Sequence, residues 1–105
     1  MIEKHSWDES VDGPLTEAAM INKLESLGYR CSLYIYPPGT VFPEHEHQVE
    51  KIDAVLGGQF KISMQGEELI LNRGDYIFVP KGCIHRAEVI GDSNVASIDA
   101  IKSEN

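Results

Sequence analysis

Two textures divide the chain. From residue 29 to residue 101, β-branched and aromatic residues come in runs of five to eight, separated by short turn-rich segments. Y-R-C-S-L-Y-I-Y (29–36) stops at P-P-G, and T-V-F-P-E-H-E-H (40–47) follows. Then come K-I-D-A-V-L (51–56), Q-F-K-I-S-M (59–64), E-E-L-I-L (67–71), Y-I-F-V-P (76–80), H-R-A-E-V-I (85–90) and V-A-S-I-D-A-I (95–101). Eight short runs with turn signals this closely spaced predict an all-β sandwich or barrel. Gly57-Gly58 reads as the turn of a hairpin, and Gln65-Gly66 as the next turn.

Residues 14–27 carry a different period. Met20, Leu24 and Leu27 form an i, i+4, i+7 stripe with Leu15 and Ile21 beside it, while Glu17, Asn22, Lys23, Glu25 and Ser26 take the wet side. Pro14 suits a first helical position, Asp12 or Gly13 a cap, and Gly28 the position past the end. The stripe predicts one N-terminal α-helix over 14–27 that packs on the barrel of residues 29–101. Residues 1–13 lack a period and read as a polar arm, which Trp7 is able to pin on the barrel or a partner. Residues 102–105 read as a frayed tail.

At 105 residues there is room for one domain and one core. Seventeen acids against nine bases give a formal charge of −8, which argues against a nucleic-acid partner, because phosphate binding needs a basic face. No apolar run approaches membrane length and no leader-like segment opens the chain, so no membrane association and a cytoplasmic location are expected. Cys31 and Cys83 form no zinc-type pair and are expected as reduced thiols.

Candidate chemistry lies in two stretches. Residues 39–58 read G-T-V-F-P-E-H-E-H-Q-V-E-K-I-D-A-V-L-G-G and place His45 and His47 two apart, on one face of an extended chain. Residues 74–85 read G-D-Y-I-F-V-P-K-G-C-I-H and end on His85. Three neutral imidazoles converging on one point suit a divalent transition metal (Zn, Fe, Mn, Ni or Cu) and leave positions for water or substrate. His5 has no ligand-spaced neighbour and stays outside the set. Strand parity from His47 turns Lys51 and Asp53 inward and disfavours Glu50, which reaches the site as a fourth ligand or proton-handling group only if the chain bulges. Lys51 has two readings. It binds the carboxylate of an acidic substrate or acts as an acid/base, or it forms a structural pair with Asp53.

The two stretches together resemble the paired motifs of the cupin family. Gly39, His45 and His47 fit the first motif, and Gly74, Pro80, Gly82 and His85 fit the second in register. The resemblance spans residues 39–89. It implies a small jelly-roll β-barrel, metal held by the histidines and often a Glu, and a homodimer, with strand 29–36 as a candidate contact. Two departures stand out. If Gly58 is taken as the glycine of the first motif, Lys51 occupies the place of its Glu; Glu50 fits only against Gly57. Val89 stands where the second motif closes on Asn. The resemblance implies a metal-dependent enzyme acting on a small oxygenated molecule, such as a dioxygenase, isomerase or decarboxylase. A non-catalytic ligand-sensing module and a metal-free scaffold are the alternatives.

Overall fold

A computed structural model describes residues 2–103 of the chain. The eight expected runs all form strands: β2 (Tyr29–Tyr36), β3 (Val41–His45), β4 (Lys51–Gly57), β5 (Gln59–Met64), β6 (Glu67–Leu71), β7 (Asp75–Val79), β8 (His85–Ile90) and β9 (Val95–Lys102). A further strand, β1 (Lys4–Ser6), precedes them. The strands build two antiparallel sheets, one ordered β1-β7-β4-β9-β2 and the other β3-β8-β5-β6. This is the all-β jelly roll that the strand pattern and the two motifs implied.

The helix α2 (Glu17–Ser26) starts three residues later than expected. Thr16 caps it, its Oγ1 accepting from the Ala19 amide at 3.0 Å. Asp12 and Gly13 instead close a separate turn of helix, α1 (Glu9–Asp12), capped by Asp8. The arm is therefore folded onto the domain. Lys4–Ser6 pair with Asp75–Ile77, and the Trp7 amide donates to the Gly74 carbonyl at 2.8 Å. Lys23 lies 2.6 Å from Asp12 and over the Trp7 ring, which ties α1, α2 and the arm together. At the other end, Lys102 still belongs to β9, and the Ser103 amide donates to the Gly28 carbonyl, so the tail is ordered as far as 103. Residues 104–105 of that expected tail lie outside the described residues.

Two cores flank the five-stranded sheet. Between the sheets lie Val55, Phe60, Ile62, Leu71, Ile77, Val79, Val89 and Val95. On the opposite face, under α2, lie Met20, Leu24, Ile52, Ala54, Tyr76, Ile98 and Ala100. Strand β4 is thus buried on both sides, Val55 facing one core and Ile52 and Ala54 the other.

Gly57-Gly58 is not a hairpin turn. β4 pairs with β7 and β9, whereas β5 pairs with β6 and β8 in the other sheet. The register shifts between Val55 and Gly57, and Gly58, at φ +78°, turns a corner from one sheet to the other. A Cβ at Gly58 would collide with the Asn94 carbonyl, where the chain passes back between sheets from β8 to β9. The Gln65-Gly66 turn does join a hairpin. Both residues have positive φ, as the tight turn between Met64 and Glu67 requires.

Candidate metal centre

The three histidines meet. β3 and β8 are neighbours, and His45 is the register partner of His85, with ring centroids 4.2 Å apart. An extra residue in β3 between Phe42 and His45 sets that register, and Pro43 sits in the bulge, where its missing N–H costs no ladder bond. His47 lies beyond the strand, in the loop that follows. The second motif holds it there. The Gly82 amide donates to the His47 carbonyl at 2.9 Å, and Gly82 has φ +75°, a left-handed conformation that glycine adopts without strain. The His47 ring stands 4.8 Å from His45 and 5.2 Å from His85.

The outer nitrogens fix the tautomers. His45 Nδ1 lies 2.7 Å from the Pro43 carbonyl, and His85 Nδ1 lies 2.9 Å from the Cys83 carbonyl. A carbonyl only accepts, so both Nδ1 atoms carry the proton and both Nε2 atoms keep a lone pair. His47 Nε2 is buried and has no hydrogen-bond partner. A buried polar atom without a partner costs free energy unless something else meets it. The ligand atoms of the three rings lie within 4.8 Å of one another. Nitrogens bonded at about 2.1 Å to a common ion stand at most about 4.2 Å apart, so small side-chain rotations suffice. The donor set therefore fits a divalent transition metal.

Electrostatics favours the neutral, ligating form. Burial pushes His47 down to about 4, with the positive charge of Lys51 adding to the effect. Burial also lowers His85, against the opposing pull of its hydrogen bond to Cys83.

The histidines line a cavity of about 230 Å³, smaller than most ligand pockets of about 300–1,000 Å³. Lys51 and Asp53 point into it from β4, as parity required, and Asp99 joins them from β9. Burial alone would lower the Lys51 pKa, but the charges of Asp53 and Asp99 and its hydrogen bonds to them outweigh burial and raise it. Burial is also the main cause that raises Asp53, helped by Asp99 facing it. Tyr34, Tyr36, Phe42 and Phe60 form the aromatic part of the lining. Burial pushes the Tyr36 hydroxyl up to about 12, so it remains a hydrogen-bond donor at neutral pH.

Glu50 is not brought to the site. Its side chain is exposed, its carbonyl accepts from the Lys102 amide, and it borders a separate depression with Lys81 and Lys102. Residues 46–50 form an irregular connection between β3 and β4, and Glu50, next to the inward Lys51, is left on the solvent side. Cys83 packs against the inner core, and His5 stacks on Tyr76 at the N-terminal edge of the five-stranded sheet. Val89, at the place of the motif's Asn, fills the inner core. Asp99 is the site residue that sequence reasoning missed. Its signal was an acid at an inward position of the apolar run 95–101, opposite Asp53.

Residues 32–101 match the family model for the cupin domain. The chain belongs to the cupin family. Over 67 residues it is 33% identical to the bifunctional lysine-specific demethylase and histidyl-hydroxylase NO66 of Branchiostoma floridae; the match takes in 60% of this chain and 11% of that protein. Among solved structures, this cupin resembles the DMSP lyase DddQ of Ruegeria pomeroyi DSS-3, with TM-score 0.65, 24% identity, and 73% of this chain and 39% of that one covered. It also resembles a cupin protein of Bacteroides fragilis, with TM-score 0.63, 25% identity, and 74% and 68% covered. The chain thus spans about a tenth of the curated relative and two fifths of the lyase.

Proposed function

We propose that this cupin is a small metal-dependent enzyme that acts on a small oxygenated molecule. The observation that carries the reading is the buried, unpartnered Nε2 of His47, beside two imidazoles whose tautomers leave their Nε2 lone pairs free. His45, His47 and His85 would hold the ion. A divalent transition metal with three protein ligands supplies a Lewis acid with open positions for substrate oxygens. The remaining lining residues bind and orient. Phe42 and Phe60 exclude water from one side, Tyr36 offers a hydroxyl donor, and Lys51 is a fixed charge clamped by two carboxylates. Glu50 takes no part. A lyase among the structural neighbours and a demethylase–hydroxylase among the relatives make an enzymatic role the natural expectation for this barrel.

The test is reconstitution with Mn, Fe, Ni, Cu and Zn in turn, followed by assays of oxygen uptake and product formation on small hydroxy acids, keto acids, phenols and sugars. One equivalent of metal and turnover of at least one class are expected. Stoichiometric metal with no turnover would favour a ligand-sensing module, and failure to take up any metal would remove both readings. A homodimer through β2 belongs to the same proposal. This eight-residue edge strand leaves Leu33 and Ile35 exposed. Sedimentation of wild type against Ile35→Lys tests it: a dimer that dissociates is expected, and a wild-type monomer sinks it.

A further inference from the structure

Besides its histidines, the cavity contains two acids and one base. Asp53 and Asp99 are register partners on β4 and β9 and both face inward. Like charges directly opposite on neighbouring strands destabilise a sheet. Lys51 lies between them, its Nζ 3.6 Å from Asp53 Oδ1 and closer still to Asp99 Oδ1. Among the described residues no other cation pairs with either acid. With both acids ionised, one ammonium between two carboxylates leaves this wall with a formal charge of −1. The side chains of Lys51, Asp53 and Asp99 are only 9%, 13% and 24% exposed, so water screens them poorly. A structural bridge would need only one acid; the second adds repulsion. The aromatic rings of Tyr34, Tyr36, Phe42 and Phe60 line the same cavity, and ring faces attract cations.

We propose that the cavity selects small zwitterions: an oxygen-donor head for the histidine end and an ammonium group for the Asp53–Asp99 wall and its aromatic neighbours. The head's placement rests on the metal-site reading above, while the ammonium end stands on the acidic wall alone. Lys51 is then a positioning residue that holds the two carboxylates side by side. A second carboxylate on the ligand meets a wall of its own sign, which rejects dianions. The volume of about 230 Å³ limits the ligand to a short chain or a single ring.

Calorimetric titration of the metal-loaded protein with 4-aminobutanoate, 4-hydroxybutanoate and glutarate tests the selection. The amine is expected to bind at least about tenfold tighter than the alcohol, and glutarate weakest. Asp99→Asn, which leaves Lys51 balanced by Asp53, is expected to bring the three within about threefold of one another. Its fold is checked by circular dichroism, and the wild-type ranking stands without it. In the metal-free protein the wall is read alone, with propylammonium against propionate, and the ammonium is expected to win. No metal uptake with the ammonium preference intact would sink only the metal reading. Glutarate binding as tightly as the amine, an unchanged ranking in Asp99→Asn, no binding of any of the three, or no preference in the metal-free arm would overturn the proposal.

Discussion

The five-stranded sheet has two faces built from alternate residues of the same strands; both carry an apolar core, but only the inner one also lines a polar cavity. Along β4, Ile52 and Ala54 pack under α2 with Met20 and Leu24, all fully buried and apolar. Between them, Lys51 and Asp53 face the cavity, and along β9 Asp99 does the same beside the apolar Ile98 and Ala100. The helix-covered face has only packing to satisfy. The cavity face keeps three ionisable groups and an unpartnered imidazole nitrogen largely out of bulk water, and each is costly unless matched. Strand parity separates the two tasks so that neither face has to compromise.

Four measurements would break or sharpen that contrast. The largest effect is expected from Lys51→Met, which leaves Asp53 and Asp99 facing each other without a cation. A loss of about 3–5 kcal/mol in denaturant unfolding at neutral pH is expected. The loss should shrink as pH falls, because protonation of one acid removes the repulsion. Equal stability of this variant at all pH values would mean that the wall is already neutral. Leu24→Ala, on the other face, is expected to cost about 2–4 kcal/mol with metal stoichiometry unchanged in the folded protein. Altered metal uptake would show that the two faces are not independent. Gly58→Ala is expected to cost about 1–3 kcal/mol, because positive φ and the Asn94 carbonyl both oppose a side chain at the corner. The smallest effect is the titration of His47. Its folded pKa, about 4, lies below the ordinary 6.5. The folded state therefore binds fewer protons, and this ring's contribution to stability is complete above about pH 6.5 and lost progressively as pH falls toward 4. NMR of the metal-free protein checks this through the ring resonances: a midpoint near 6.5 would place His47 in water.

The same contrast explains what was legible in advance. Strands alternate at a period of two and the glycines mark their ends, so eight strands and the inward direction of Lys51 and Asp53 could be read directly. The convergence of His45, His47 and His85 followed from the two motifs, whereas the direct register pairing of His45 with His85 did not. The Gly57-Gly58 corner could not be read locally, since a hairpin and a sheet-to-sheet corner use the same residues there. Only the pairing of β4 with β7 and β9 decides between them. The strand in the arm could not be read because Lys4–Ser6 has no apolar period; its order comes from the edge of β7 and from Trp7, the residue the sequence offered as a pin. Asp99 escaped because its meaning depends on Asp53, 46 residues away in sequence yet directly across the sheet. Parity disfavoured Glu50 and left it open only through a bulge after His47; the path of residues 46–50, an irregular connection between β3 and β4, is not written in the local pattern.

The shared ion is tested most directly by X-ray absorption at the metal edge of the reconstituted protein. A shell containing three imidazole nitrogens at about 2.0–2.1 Å is expected, falling to two in His47→Ala. A shell of oxygen atoms with one imidazole or none, unchanged by that substitution, would contradict a common ion for His45, His47 and His85.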